Sequence, residues 1–313
     1  MTDPAVTFEP HRRRLLGLAY RMLGSVSEAE DAVQDAYIRW HATDREAVSD
    51  VRGFLTTTTT RICLDMLKSA RARREQYVGP WLPEPVVDTE ALAPDAQTEL
   101  AEDLSIALLL ALDRLSALER AAFLLHDVFD CSFGEVASAL GRSEAACRQL
   151  AARARAHVRE ARPQGVSIVR DRSEPSNHQQ LVSAFVNAAR SGDLQTLMSL
   201  LADDVRLTTD GGGKVVAALN VIEGADRAAR FVVGAVSKGL PEGSIVRFST
   251  INGLPGVILQ RPDGSVQSVA FEIEHNRVRA IYAVSNPEKL SHLATRRSSR
   301  YQAGERGELN SAP

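Results

Sequence analysis

The chain has 313 residues, 44% of them hydrophobic and 25% charged, with a net charge of −3. That is the composition of an ordinary globular protein of two or three domains, and it excludes a polycation that would hold nucleic acid through a global field. Cys63, Cys131 and Cys147 contain no CxxC pair, no apolar run reaches the roughly 18 residues of a membrane span, and the start MTDPAVTFEPHRRR lacks a signal-peptide core. The expectation is a protein of the reducing cytoplasm with no membrane partner, no metal, no cofactor and no disulfide framework.

In chain order, Leu15, Leu16, Ala19, Met22 and Leu23 form the stripe of a first helix that stops at Gly24. A second helix starts after Ser25 or Ser27 and runs through AEDAVQDAYIRW. It turns Ala29, Ala32, Val33, Ala36, Tyr37 and Trp40 inward and Asp31, Gln34, Asp35 and Arg39 outward. Residues 51–75 contain the run Thr56–Thr60, whose propensity favours a strand, but Phe54, Leu55, Ile62, Leu64, Met66 and Leu67 fit a buried helix and decide for it. That helix ends in five cations, Arg61, Lys68, Arg71, Arg73 and Arg74, against one acid, Asp65. Cations suit any helix C-terminus, and this many also suit a phosphate backbone.

From Glu75 to Asp113 there are nine acids, four prolines and no Lys or Arg, which marks a linker around Trp81-Leu82-Pro83-Glu84-Pro85. Helical pattern resumes at Leu104, breaks near Ser116, and restarts on the capping box Ser116–Glu119. Ser132–Arg155 then reads as two short helices about the turn Gly141-Arg142-Ser143. Gly141 suits a left-handed C-cap, Ser143 suits an N-cap, and Ala137 is small enough for a close crossing. This is a helix-turn-helix pattern. Its second helix keeps Cys147, Leu150 and Ala154 inward and carries Arg148, Gln149, Arg153 and Arg155 off that stripe, as a helix entering a major groove would. A plain helical hairpin with a solvated basic face has the same spacing.

After a second boundary, Pro163–Pro175, the texture changes. Helices are expected at 177–191, 194–201 and 225–237, and strands at 205–209, 214–219, 244–251, 256–261, 266–273 and 278–284. Asn252-Gly253 and Asp263-Gly264 are hairpin signals between strands. This is an α+β domain with helices against a curved antiparallel sheet. Residues 286–313 are a polar tail.

Three features of residues 10–160 resemble the extracytoplasmic-function (ECF) group of bacterial sigma factors. They are AEDAVQDAYIRW at 29–40, the order Phe54-Leu55, Ile62, Asp65, Leu67 with the basic end 68–74, and SEAACRQLAARARAHV at 143–158. Arg61 stands where the group usually has Asn. Residues 176–285 resemble the SnoaL-like branch of the NTF2-like fold. Trp81-Leu82-Pro83-Glu84-Pro85, Asp210-Gly211-Gly212-Gly213-Lys214 and Asn286-Pro287-Glu288-Lys289-Leu290 together resemble the ECF sigma factors that carry a fused SnoaL-like domain.

The resemblance implies a multidomain chain: two all-α sigma modules, the second with the helix-turn-helix, and a C-terminal α+β cone. The segments are 8–75 (region 2), 76–103 (linker), 104–162 (region 4), 163–175 (linker), 176–285 (SnoaL-like) and 286–313 (tail). It implies core RNA polymerase bound by Asp31, Gln34 and Asp35, and −10 DNA met by Arg61, Lys68, Arg71, Arg73 and Arg74. The −35 DNA would be met by Arg142, Ser143, Arg148, Gln149, Arg153 and Arg155, with Arg148 and Gln149 at base edges. Trp81, Pro83, Pro85, Asp210–Lys214, Asn286, Pro287 and Leu290 would be regulatory, with the glycine loop against the linker or region 2. Asp210, Lys214, His275 and Glu272 are the groups from which an enzyme in the cone would draw. The glycine turn is better read as structural, so no catalytic residue is assigned, and a small-molecule ligand of the cone is a further partner the fold admits. The competing function is an NTF2-like sensor or enzyme fused to a simple helix-turn-helix regulator, which would not need the 29–40 surface but would usually need a symmetric dimer to read paired half-sites, and no coiled-coil heptad is evident in the sequence.

Overall fold

The computed structural model describes residues 3–75, 77–87, 104–161 and 175–295, with the side chains of 70–75, 161, 175–176 and 294–295 excepted. The chain forms two compact units. The first takes the chain up to Tyr77, Trp81–Pro175 and the short turn Thr250–Leu254; the second takes Val78–Pro80, Ser176–Ser249 and the chain from Pro255 onward.

In the first unit, α1 (Pro4–Leu23) starts on an Asp3 cap and ends at Gly24, whose φ of 73° is left-handed. α2 (Val26–Ala42) starts on Ser25, whose hydroxyl accepts from Glu28 N. α3 (Val51–Glu75) runs unbroken through the threonines. Thr59 and Thr60 are buried, and Thr60 satisfies its hydroxyl on the Thr56 carbonyl one turn back, so the helix absorbs the β-branched run. α4 (Ile106–Asp113) precedes α5 (Ala117–Phe123), which begins on the Ser116–Glu119 capping box and continues as one π-helical turn, Leu124–Val128. α6 (Phe133–Leu140) has a second capping box, Ser132–Glu135, and ends at Gly141 with φ 63°; α7 (Glu144–Ala161) follows.

The two sigma-like segments do not form separate cores. One continuous hydrophobic cluster runs from Phe8 and Leu15 through Leu55 and Ile62 to Phe123, Val136 and Val158. Three buried arginines cross the seam within it. Arg14 donates to the Phe129 carbonyl and lies 5.0 Å from that ring's centroid; Arg21 approaches the same ring at 5.7 Å and donates to the Gly17 carbonyl. Arg120 donates to the Met22 carbonyl and to Asp113.

In the second unit, α8 (Pro175–Ser191) and α9 (Leu194–Leu200) lead into a sheet of β1 (Leu201–Asp210), β2 (Ile222–Glu223), β3 (Ile245–Ile251), β4 (Leu254–Gln260), β5 (Val266–Glu274) and β6 (Arg277–Val284). α10 (Ala225–Gly239) lies between β2 and β3 in sequence. The strand order is β2-β1-β6-β5-β4-β3. The sheet is mixed rather than antiparallel throughout: β1 runs parallel to β6, with Leu207 opposite Ile281, while β5 and β6 are antiparallel. A parallel pair needs a long crossover, and α10 and the hairpins between supply it. The helices pack on one face through Leu181, Phe185, Leu197, Ala228 and Ala229 against Val205, Val257, Phe271 and Ile281.

The strand expected at 214–219 is absent. The Gly211 carbonyl accepts from Lys214 N and Val215 N, and Gly212 and Gly213 both have positive φ, so the segment coils. Val216 is fully exposed there, and the apolar run that suggested a strand faces no core.

Candidate nucleic-acid and polymerase interfaces

On α2, Ala29, Ala32, Val33, Ala36 and Trp40 are buried, which leaves Asp31, Gln34 and Asp35 exposed on one face. Ile38 completes that face at i+7 and is 56% exposed. Ile38 is absent from the expected polymerase-facing set, although its spacing from Asp31 carries the signal.

The start of α2 is held by the linker. Glu84, itself buried, accepts at Oε2 from the Ser25 hydroxyl (2.8 Å) and Val26 N (2.7 Å). A carboxylate at a helix N-terminus satisfies orphan N–H groups and opposes the positive end of the dipole. Glu84 N donates to the Gly24 carbonyl, and the Tyr20 hydroxyl donates to the Glu84 carbonyl at 2.7 Å. Trp81 covers Gly24 so closely that a Cβ there would lie 2.4 Å from the indole. Pro83 and Pro85 are buried beside it.

On α3, Arg61 donates through Nη2 to the Ser138 carbonyl (2.7 Å) and through Nε to the Ala139 carbonyl (3.1 Å), in the last turn of α6. Its charge therefore meets the negative end of the first helix of the helix-turn-helix. Lys68 pairs with Asp65 at 2.7 Å; both are exposed, and the hydrogen bond from Lys68 holds the Asp65 carboxyl below its ordinary range. The side chains of Arg71, Arg73 and Arg74 lie outside the described residues.

Around the helix-turn-helix, Ser143 caps α7 by accepting from Ala146 N. Arg142, Ser143, Arg148 and Gln149 are exposed together at its start. Arg148 pairs with Glu144 and lies 5.1 Å from the Phe133 centroid, and that ring stacks on His126 at 3.9 Å, so the guanidinium is oriented before any ligand arrives. Arg153 and Arg155 are engaged otherwise. Arg153 bonds Glu119 at 3.0 Å and Arg155 bonds Asp127 at 2.6 Å, tying α7 to α5 and its π turn. The Glu119 carboxyl is held below its ordinary range, chiefly by the Ser116 hydroxyl and also by Arg153.

The second unit brings its two motifs together. Asp210, with no side-chain exposure, accepts from Lys289 Nζ at 2.7 Å, and its carbonyl accepts from Ser285 N and Asn286 N. Lys214 pairs with Glu288. Asn286 caps the turn at Pro287 by accepting from Glu288 N, and Leu290 is buried. A Cβ on Gly211 would stand 2.2 Å from the Val215 carbonyl oxygen, and one on Gly213 would stand 3.2 Å from Val78 Cβ. Val78 is a linker residue, so the glycine loop packs against the linker within this unit.

The acids weighed for chemistry do not converge. Asp210 is opposite Val284 near one end of β6, Glu272 is opposite Ala280, and exposed His275 occupies the turn at the other end. Glu272 accepts from the Tyr282 hydroxyl at 2.9 Å, and burial pushes that phenol's pKa up. An open notch of about 360 Å³ at the start of β1 is lined by Asp203, Asp204, Glu274, His275, Arg277 and Arg279; Arg277 pairs with Asp203 there and Arg279 with Glu274. No helix of the described residues is long and apolar enough to cross a membrane.

Residues 7–73 match the family model of Sigma-70 region 2, and residues 105–158 match that of Sigma-70, region 4. The chain is 39% identical over 296 residues to the ECF RNA polymerase sigma factor SigJ of Mycobacterium tuberculosis, covering 91% of this chain and 92% of the relative. It is 31% identical over 294 residues to the probable ECF RNA polymerase sigma factor SigI of the same species, covering 93% and 96%. The crystal structure of the M. tuberculosis extracytoplasmic function sigma factor SigJ is similar with a TM-score of 0.69 at 36% identity, covering 92% of this chain and 98% of that one.

Proposed function

The chain belongs to the ECF sigma factors of RNA polymerase, and from that premise we propose that its promoter-reading parts are held shut in this arrangement and must separate to act. As a sigma factor it binds core polymerase and promoter DNA and directs promoter-specific initiation; it works by binding rather than by catalysis. In the proposed division of labour, Asp31, Gln34, Asp35 and Ile38 meet the polymerase. α3 and its basic end take the −10 strand. The start of α7, with Arg142, Ser143, Arg148 and Gln149, takes the −35 duplex. Arg153 and Arg155 position α7 through their acids and add charge near the phosphates.

The observation that carries this reading is the contact of α3 with α6 through Arg61. The −10 and −35 elements are about 25 base pairs apart, on the order of 80 Å of duplex at 3.4 Å per base pair. Helices joined by a 2.7 Å hydrogen bond cannot occupy both at once. The character of the seam supports reversible closure. Arg14 and Arg120 donate across it to main-chain carbonyls, so on separation each exchanges a protein acceptor for water at modest net cost, while Arg21 leaves only the Phe129 ring and keeps its Gly17 acceptor within α1.

Regulation falls to the motifs that bind the linker: Trp81 and Glu84 at the start of α2, and the Gly211–Lys214 loop at Val78. A ligand of the second unit would be a further input, but Phe185 and Phe271 meet edge-on between helices and sheet, which favours the motif contacts as the route of control. Run-off transcription with purified core polymerase tests the proposal, using the full chain and a version ending at Arg172. Both should initiate at a cognate promoter, the shorter one more strongly at equal concentration. Absence of promoter-specific initiation from both removes the function, and equal initiation removes the regulation.

A further inference from the structure

The turn Asn252-Gly253 has φ of 51° and 76°, the left-handed pair of a tight hairpin. Hairpin tips ordinarily face solvent. Asn252 is 1% exposed and belongs, with Thr250–Leu254, to the first unit.

Its polar groups account for the burial. Asn252 N donates to the Val86 carbonyl (2.7 Å), and Val86 N donates back to Oδ1 (3.0 Å), a two-bond bridge to the end of the linker. The carboxamide nitrogen donates to the Tyr20 hydroxyl (2.8 Å) and to the Leu104 carbonyl (3.1 Å). The Tyr20 hydroxyl in turn donates to the Glu84 carbonyl. One side chain is thus bonded at once to α1 of region 2, to the linker, and to the residue that leads into α4 of region 4. Tyr20, Glu84 and Leu104 are all at least 97% buried, so these bonds form away from water.

We infer that Asn252 is a pin that fixes region 2, the linker and region 4 in the shut arrangement, and that withdrawal of this turn is the step that lets the two reading modules part. This rests on the shut reading proposed above. The chemistry suits a removable pin: an apolar plug would resist re-entering water, whereas a carboxamide and the carbonyls it leaves exchange their bonds for water. Asparagine is also the residue that combines tolerance of a left-handed backbone with two donors and one acceptor. Aspartate lacks the donors, and glycine keeps the turn but lacks the carboxamide.

The test uses the full chain with dyes on Glu9→Cys and Ala156→Cys, exposed sites on α1 and α7; the native cysteines are buried. Asn252→Gly preserves the turn geometry and should raise the ratio of separated to shut molecules at least ten-fold, seen as a loss of energy transfer. Tyr20→Phe removes one partner without touching the turn and should act in the same direction. Far-UV circular dichroism checks that both variants remain helical. Unchanged transfer in both overturns the pin, as does a loss of transfer that coincides with loss of helix in both. Run-off transcription by the dye-free wild type separates the two levels: initiation with unchanged transfer in the variants refutes the pin alone, and no initiation strikes the function beneath it.

Discussion

Replacing Glu84 by Gln keeps the side-chain shape and removes the charge that caps α2. The carboxylate takes two short bonds, from Ser25 Oγ at 2.8 Å and Val26 N at 2.7 Å, in a buried site. A hydrogen bond to a charged group is worth about 1 kcal/mol more than a neutral one. The helix dipole adds about 0.5–1 kcal/mol for a carboxylate at this position. The sum is about 2–3 kcal/mol, or roughly 5–10 °C in Tm for a unit of this size. Urea unfolding followed by far-UV circular dichroism at pH 7 should show a lower midpoint with an unchanged slope. Affinity for core polymerase should fall as well, because the capped helix carries Asp31, Gln34, Asp35 and Ile38. A change within about 0.5 kcal/mol, the scale of an ordinary surface substitution, would refute the view that the linker secures the polymerase-binding helix.

Arg61→Ala removes two donors to the end of α6 and should favour separated modules by about 1 kcal/mol, roughly five-fold, in the same dye-pair measurement; no change would refute a role for the Arg61 contact in holding α3 to α6. Lys289→Met removes the ammonium 2.7 Å from the buried Asp210 carboxylate and should destabilise the second unit by about 3 kcal/mol in thermal unfolding, with much of that recovered on adding Asp210→Asn. Failure of the second change to rescue would mean the pair is incidental. Glu119 has a lowered folded pKa, so it contributes stability above its unfolded value of about 4.3 that is lost as pH falls through the lower folded value. The gap in Tm between wild type and Glu119→Gln should therefore close in that acid window, and a gap that stays constant would contradict the assignment. Arg148→Ala should weaken discrimination at one −35 position by about 1–3 kcal/mol across a panel of promoter variants; a uniform loss at every position would instead make it a phosphate contact.

The helical half was legible because its signals are local. Gly24, Gly141, Ser25, Ser116 and Ser143 are caps whose chemistry acts within one turn, and each ends or starts a helix as its residue type requires. The threonine run was resolved by periodicity against propensity. What escaped was set by distant partners. Arg14 and Arg21 sit seven residues apart on the buried side of α1, a placement that reads as surface charge until Phe129 is seen beneath them. Asn252 has the sequence of an ordinary hairpin tip, and its burial depends on Val86, Tyr20 and Leu104, which no local pattern foretells. The apolar run at 214–219 promised a strand, yet the glycine turn before it coils the chain, and Ala218 meets β1 through the Thr209 hydroxyl rather than through a backbone ladder. Ile38 could have been found from spacing alone, and so could the alignment of Asp210 with the tail motif have been suspected from charge, though not its depth.

The chain contains two tryptophans. Trp40 is sealed in the core at 1% exposure, with its indole N–H on the Pro4 carbonyl and the Thr7 hydroxyl, so its emission is insensitive to rearrangement at the surface. Trp81, half-buried, lies flush on a backbone position that has no side chain to fend it off. The protein is therefore supplied with an internal optical reference and an internal optical reporter. A red shift and increased iodide quenching belong to Trp81 alone, and they record the moment the linker lifts from Gly24 without any label. The unmodified free protein can thus be watched in real time for the release that the rest of its architecture restrains.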